Sequence, residues 1–464
     1  MSRLIAVSNR VADPATGQST GGLAVGLLAA LKKNGGIWFG WGGHVSKGSP
    51  SDPTITRRGR IDYVTTDIDE SDFDDYYNGY ANGCLWPLCH YMLGFFRYER
   101  RFAQAYERVN TLFARKLRPL IDDDDIVWVH DYHLFPLARE LRRAGIENPI
   151  GFFLHVPFPN IDVLRTLPGH RLLLEMLTHY DVVGFQTESD VQSFIEGLDR
   201  VGFLDARLGR DRYRAGGREF VAAAFPIGID VAGVTRMAER SVQSLTVTRS
   251  VKGLVGRDLI IGVDRLDYSK GLPERFRAFE GLLERYPDVR GRLVFMQIAP
   301  PTRSGVRAYQ DIREELERSA GHINGRFAEP DWVPIRYLNR GFSRSMLMGL
   351  FRTAKIGLVT PLRDGMNLVA KEYVAAQHPE NPGALVLSSL AGAAAELDAA
   401  IIANPFDAEG VAEAIQQAVN MPLHERMERH QAMMATLNRY DISAWTKGFV
   451  GALETVQEER AGRA

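Results

Sequence analysis

At roughly 150 residues per domain, a chain of 464 residues has room for two or three domains. Its 45% hydrophobic and 24% charged residues exclude a disordered or fibrous chain. Lys and Arg number 56 against 57 Asp and Glu, and the net charge of -1 argues against a bulk electrostatic nucleic-acid binder. Cys84 and Cys89, the two cysteines, are too few for a disulfide framework or a four-cysteine zinc site. No segment approaches the ~18 consecutive apolar residues of a membrane helix. Met1-Ser2-Arg3-Leu4 runs directly into an apolar stretch with no signal-peptide core, so a cytoplasmic protein is expected.

Short apolar runs alternate with longer amphipathic stretches along the chain, which is how βα units read. In the first half the runs are Leu4–Val7, Ile37–Trp41, Ile126–Val129, Ile150–Leu154 and Val182–Phe185. In the second half they are Leu259–Val263, Leu293–Ile298, Ile335–Leu338, Ile356–Val359, Ala384–Leu387 and Ile401–Ala403. Many are apolar at consecutive positions, as expected where helices cover both faces of a parallel sheet. Helical patterns fall between them at Leu23–Lys32, Pro273–Tyr286, Tyr309–Ser319 and Asn367–Gln377. Two doubly wound α/β domains follow, with a seam inside 226–256, where a polar helical stretch (Arg236 to Lys252) precedes the next strand. We divide the chain into 1–235 and 236–441. The last segment, strandless from about Ala412, ends in a helix near 442–464 that is expected to pack back on the first domain.

In such sheets ligands sit at the carboxyl ends of the strands. Ser8-Asn9-Arg10 follows the first run, and Gly21-Gly22 then opens a helix, where backbone N–H groups suit a phosphate. For the glycine pair alone a flexible turn is the simpler reading. Asp264-Arg265-Leu266-Asp267-Tyr268-Ser269-Lys270-Gly271 follows the run at 259–263 and sets two cations five residues apart, suited to clamping a diphosphate. A solvated loop with Arg265 paired to a neighbouring Asp accounts for the spacing equally well. After Ile356–Val359, Asp364, Gly365 and Asn367 crowd one strand exit, and Glu372 on the following helix is placed to accept ribose hydroxyls. The competing reading makes Asp364 a turn former and Glu372 a surface charge paired with a lysine. His130-Asp131-Tyr132-His133 and His155 follow adjacent runs, with Asp131 and His155 as acid–base or hydroxyl-binding candidates.

Other features are set aside. Asp122–Asp125 precedes its strand and reads as a solvated loop. Gly40-Trp41-Gly42-Gly43-His44-Val45 lacks the last glycine of a dinucleotide fingerprint, which weighs against a nicotinamide dehydrogenase. Tyr76, Tyr77 and Trp86 suit a sugar-site wall or, more commonly, core packing. Cys84 and Cys89 read as buried spectators, Ala391–Ala395 as a tightly packed helix start.

Taken together, Ser8-Asn9-Arg10, Gly21–Gly26, Trp38–Trp41, His130–Leu134, Gly151–His155, Arg265–Gly271 and Arg363–Glu372 resemble the trehalose-6-phosphate synthases, retaining glycosyltransferases of family 20. The motifs run in family order from residue 3 to beyond residue 400, while 43–60 and 200–218 look less typical. The resemblance implies the GT-B fold, two Rossmann-like domains facing an interdomain cleft. It implies glucosyl transfer from a nucleotide-glucose, UDP-glucose by family default, to glucose 6-phosphate, with no metal and no other cofactor. It assigns the acceptor to Arg10, Tyr77, Trp86, Asp131 and Arg303. The donor falls to Gly21, Gly22, Arg265, Lys270, Phe342, Asp364, Gly365, Met366, Asn367, Leu368, Val369 and Glu372. His155, Arg265, Lys270 and Asp364 form the catalytic set. Retention ordinarily suggests a carboxylate nucleophile; none is obviously placed for it, and relatives are thought to use a same-face route in which the leaving phosphate helps deprotonate the acceptor. The alternatives are a sister enzyme with another phosphorylated acceptor and a silent, regulatory synthase-like subunit. The expected partners are small molecules, with neither nucleic acid nor membrane, and self-association into a homo-oligomer is left open.

Overall fold

The computed structural model describes residues 3–11, 22–48, 52–254, 256–302 and 307–462. The chain divides into two compact units, Met1–Ile227 with Ile442–Ala464, and Gly228–Asp441. The division falls earlier than the 235/236 boundary read from the sequence, because the helix Val231–Ser241 is built into the second unit. Its Thr235 hydroxyl donates to the Ala375 carbonyl at 2.9 Å, and Gly349 lets the Ser241 backbone come so close that a Cβ there would meet it at 3.0 Å.

The first unit contains β1 (Leu4–Arg10), β2 (Gly36–Ser46), β3 (Thr54–Arg58), β4 (Ile61–Asp69) and β5 (Ile126–His130). They are followed by β6 (Ile150–Phe153), β7 (Val182–Phe185), β8 (Leu204–Arg207), β9 (Arg212–Ala215) and β10 (Arg218–Ala224). All ten join one sheet in the order β3-β4-β2-β1-β5-β6-β7-β10-β9-β8. Pairing is parallel from β4 through β10, while β3, β9 and β8 add antiparallel edges. The apolar runs above leave out β3, β4, β8 and β9, which alternate or are largely polar, and β10, which opens on Arg218-Glu219 before the short apolar Phe220–Ala224. Strand β4, Ile-Asp-Tyr-Val-Thr-Thr-Asp-Ile-Asp, is only partly buried, and β9–β10 is an edge hairpin turned by Gly216-Gly217, both at positive φ.

The C-terminal helix Ile442–Ala461 packs on the first unit's sheet. Phe449 stacks on Trp128 with ring centroids 4.7 Å apart, and a Cβ on Gly151 of β6 or Gly184 of β7 would lie 2.6 Å from its ring. Those two glycines make room for the helix. Arg212 and Glu459 pair at 2.6 Å, and Arg460 pairs with Asp181, fastening its far end.

The second unit contains β11 (Asp258–Val263), β12 (Leu293–Ile298), β13 (Ile335–Leu338), β14 (Ile356–Val359), β15 (Ala384–Ser388) and β16 (Ile401–Ala403). Its six-stranded, wholly parallel sheet has the order β13-β12-β11-β14-β15-β16. In chain order within the unit this is 3-2-1-4-5-6, the doubly wound order whose ligand crevice opens where the winding reverses, between β11 and β14. In the first unit the same reversal lies between β1 and β5.

Three further readings change. The polar stretch 236–252 is two helices, Val231–Ser241 and Leu245–Lys252, and 391–395 is a short 3-10 turn at Gly392–Ala395. Asp122–Asp125 is no mere solvated loop: Asp125 is buried and accepts Arg3 Nη2 at 2.6 Å, which ties β5's entrance to that of β1. No described helix is long and apolar enough to cross a membrane.

Candidate active site

In the second unit the loop after β11 is shaped by its own acids. Asp267, fully buried, accepts the Ser269 N–H at 3.0 Å, the Ser269 hydroxyl at 2.9 Å and the Tyr309 hydroxyl at 3.1 Å. This turns the chain so that Lys270 ends a 3-10 turn and Gly271, at φ +64°, opens the helix Leu272–Arg285. Only glycine fits there, since a Cβ would lie 2.5 Å from the Thr360 carbonyl. Lys270 Nζ donates to Asp364 Oδ2 at 2.5 Å, and Asn367 Nδ2 donates to the same oxygen at 3.0 Å. Asn367 caps the helix Leu368–Ala376 at φ +78°, a strained value for a residue with a side chain. The segment from Asp364 to Met366 is clamped by the turn after β15: Asp364 N–H donates to Leu390 O (3.1 Å), Gly392 N–H to Asp364 O (3.1 Å) and Ala393 N–H to Met366 O (2.8 Å).

Beneath this surface lies a cation the sequence reading overlooked. Arg275 is fully buried and donates to Asp264 (2.8 Å), Gln297 (2.8 Å) and Thr360 (3.0 Å), the residues at the carboxyl ends of β11, β12 and β14. Burial raises the Asp264 carboxyl, with Arg275 and Lys270 opposing. Glu372 accepts Arg344 at 2.7 Å; burial pushes its carboxyl up and Arg344 opposes that. Its partner is therefore an arginine, not the lysine of the competing reading. Lys371 faces the interior, where it pairs with Glu396 at 2.5 Å and burial pulls it down. Arg265 is exposed on the β11 loop, Gly365 and Met366 are buried, and Leu368 and Val369 are half-buried on the helix. Phe342 lies under the Arg340 guanidinium at 4.7 Å, before the helix Arg344–Thr353.

In the first unit the strand ends carry rings instead of ion pairs. Arg10, exposed at the end of β1, sits 5.5 Å over the Trp41 ring, and among the described residues no carboxylate bonds it. Trp41 meets Tyr77 and Phe73, and Tyr77 is stacked between Phe73 (5.4 Å) and His133 (5.9 Å). Tyr77 stands on a wide π-type helix, Asp74–Leu85, a form that favours functional positions. Its neighbour Tyr76 is buried and donates to Asn9 Oδ1 at 2.7 Å, joining this helix to β1. Trp86 is only 5% exposed and packs on His90 and Tyr132.

Asp131 and His155 are brought together, as adjacent β5 and β6 require. The His155 N–H donates to Asp131 Oδ1 at 3.3 Å. Asp131 has φ +77° and ψ 163°, backbone space that is essentially glycine's and costs about 1–3 kcal/mol. Its N–H to Phe153 O (2.9 Å) and its carbonyl to Leu134 N (3.1 Å) hold it there. Tyr91, Asp131 and Asn367 are the non-glycine residues at positive φ among those described, and two of the three are candidate site residues. His155 contacts His130 with Nε2 and Nδ1 3.2 Å apart, and burial drops His155 to about 3 and His130 well below its ordinary value. Both are neutral near pH 7.

Gly22 opens the helix Gly22–Asn34, whereas Gly21 and Arg303 lie outside the described residues. Among the described residues no group of three His, Cys, Asp or Glu side chains is placed to hold a metal ion.

Two doubly wound parallel-sheet units, each with polar residues at its winding reversal, are the GT-B class of sugar-transferring fold. The chain belongs to glycosyltransferase family 20, whose description matches residues 7–455. It is 49% identical to a trehalose-6-phosphate synthase of Klebsiella pneumoniae over 98% of this chain and 96% of the other. Among solved structures it is similar to the UDP-forming alpha,alpha-trehalose-phosphate synthase of Burkholderia xenovorans in complex with glucose-6-phosphate, at TM-score 0.95 and 50% identity over 98% of this chain and 100% of that one. An E. coli structure bound with UDP-2-fluoro glucose is similar at TM-score 0.92 and 46% identity, covering 97% of this chain and 99% of that one.

Proposed function

We propose that this chain transfers glucose from UDP-glucose to glucose 6-phosphate with retention at the anomeric carbon, forming α,α-trehalose 6-phosphate and UDP. The observation that carries the reading is the whole-length similarity to a synthase solved with glucose 6-phosphate. The E. coli relative's UDP-2-fluoro glucose supports the donor. In this reading Lys270 and Arg265 meet the diphosphate, with Gly21 and Gly22 approaching it through backbone. Asp364, Gly365, Met366 and Asn367 hold the donor sugar, Leu368, Val369 and Glu372 the diphosphate and ribose, and Phe342 lies near the base. Arg10, Tyr77, Trp86 and Arg303 receive the acceptor phosphate, Asp131 the sugar hydroxyls, and His155 lies beside the transferring glucose.

The chemistry suits these groups. Donor and acceptor together bring about three to four negative charges, and Arg10, Arg265, Lys270 and Arg303 offer four positive ones. Asp364 is a poor nucleophile, because one carboxylate oxygen already accepts from both Lys270 and Asn367. The same-face route therefore fits: the bond from C1 to the diphosphate oxygen breaks, the bond from C1 to the acceptor hydroxyl oxygen forms, and the hydroxyl proton passes to the departing diphosphate. Lys270 stabilises the charge on that leaving group. No metal or organic cofactor takes part in this reading, so a chelator is expected to leave turnover unchanged. A cytoplasmic setting goes with it, since both substrates are multiply charged and do not cross a bilayer unaided.

The test is nucleotide release from UDP-, GDP- and ADP-glucose, each with glucose 6-phosphate, glycerol 3-phosphate or no acceptor. Release of UDP that depends on glucose 6-phosphate is expected. Release only with glycerol 3-phosphate overturns the acceptor, and release without any acceptor overturns the transferase reading.

A further inference from the structure

His130 is used by nothing described so far, yet it is fully buried and placed where a proton must be assigned. Its Nδ1 faces His155 Nε2 at 3.2 Å. Two neutral imidazoles in that contact share one hydrogen, and which ring owns it fixes the tautomer of both. The surroundings decide. His130 packs beside Trp128 (centroids 4.6 Å apart) and Trp445 (6.3 Å), and Trp128 and Trp445 lie 4.8 Å apart. The two indole Nε1 atoms and His130 Nε2 are all buried without a hydrogen-bond partner. Were His155 to donate, His130 would carry its proton on Nε2, adding a third orphaned donor to two orphaned indole donors. With His130 donating through Nδ1, its Nε2 is a bare lone pair, and no third orphaned N–H is added to the two indole donors, the less costly arrangement for a buried site. His155 must then carry its own proton on Nδ1. His155 is half-buried, and among the described residues no hydrogen bond is made by that atom.

We infer that His130 is a positioning residue that donates its Nδ1–H to His155 Nε2 and thereby holds His155 as the neutral Nδ1–H tautomer, an N–H donor for a hydroxyl of the glucosyl group. The depressed proton affinity of both rings fits this neutral pair. The inference rests on the transferase reading for its purpose, though not for the tautomer itself.

Two-bond ring correlations on histidine-labelled full-length protein report which nitrogen of His155 is protonated, its signals being assigned by their loss in His155→Gln. Protonated Nδ1 and bare Nε2 are expected from pH 6 to 8 (about the range around histidine's ordinary value); protonated Nε2, or an imidazolium, overturns the inference. His130→Phe is expected to shift the tautomer and lower kcat about tenfold, the worth of one hydrogen bond, while the KM for glucose 6-phosphate is kept. His130→Asn, whose amide can donate from nearly the same point, is expected to recover most of kcat. An unchanged kcat and tautomer in His130→Phe also overturns it. If His130→Phe does not fold, the wild-type tautomer and His130→Asn still decide. Absent synthase turnover with a protonated Nδ1 would instead defeat the transferase reading and leave the tautomer standing.

Discussion

At its winding reversal the second unit meets its buried charges in ion pairs, whereas the described residues at the first unit's reversal leave a cation exposed or are stripped of charge. At β11 and β14 the two buried cations each have a carboxylate, Lys270 with Asp364 and Arg275 with Asp264 beneath it, while Arg265 on the same loop is exposed. At β1 and β5 there is exposed Arg10 over an indole ring, a tyrosine stack, and two histidines stripped of charge by burial. The difference follows solvent access. Lys270 is mostly buried, and an unpaired ammonium there would carry a desolvation cost of several kcal/mol. Arg10 is exposed and keeps its hydration, so it needs no counter-ion. Under the proposed function this matches the two phosphates. A donor diphosphate gains charge as its bond breaks, which suits a lysine already aimed by Asp364. The acceptor phosphate keeps its charge throughout, which suits an uncompensated arginine.

The largest expected effect breaks the second unit's pair. Lys270→Ala should lower kcat by about 10²–10³-fold, the cost of losing one transition-state donor, with the UDP-glucose KM within a few-fold of wild type. Steady-state rates check this, and unchanged turnover would remove Lys270 from the leaving group. Next is the exposed Arg10 of the first unit. Arg10→Ala should raise the KM for glucose 6-phosphate about 10- to 100-fold, as for a charge-assisted hydrogen bond, and leave the UDP-glucose KM nearly alone. An equal rise in both constants would sink the division of labour between the units.

The smallest effect concerns stability. The folded proton affinities of His130 and His155 lie below the unfolded value near 6.5, so the unfolded chain binds more protons under acid. Their stabilisation is complete above about pH 6.5 and is lost as pH falls from there toward the folded value. At about pH 5.5 each ring should cost about 1 kcal/mol. Thermal melting at pH 5.5 and 7 should therefore show a smaller pH drop in His155→Gln than in wild type; equal drops would mean the pair is not neutral.

Legibility in the sequence tracks burial. Runs such as Leu293–Ile298, buried on both faces, match their strands to the residue, because a covered parallel strand leaves no polar position to blur it. Partly buried β4 and the polar strands β8 and β9 near the sheet edge offered no such run. Trp86, read as wall or core, is nearly buried beside His90 and Tyr132, and Asp125, read as solvated, became a buried partner of Arg3. Arg275 gave no warning at all: in the sequence it is one more charge on an amphipathic helix.

Local pattern by itself determined the parallel strands that are buried on both faces, their order along the chain and the polar residues that follow them, because apolar runs and strand-exit chemistry are properties of neighbouring residues. Tertiary structure alone decided who meets whom. Lys270 reaches Asp364 across 94 positions because β14 lies beside β11, and His130 meets His155 because β6 lies beside β5. Strand adjacency is set by how the whole sheet winds, and no window of sequence contains that information.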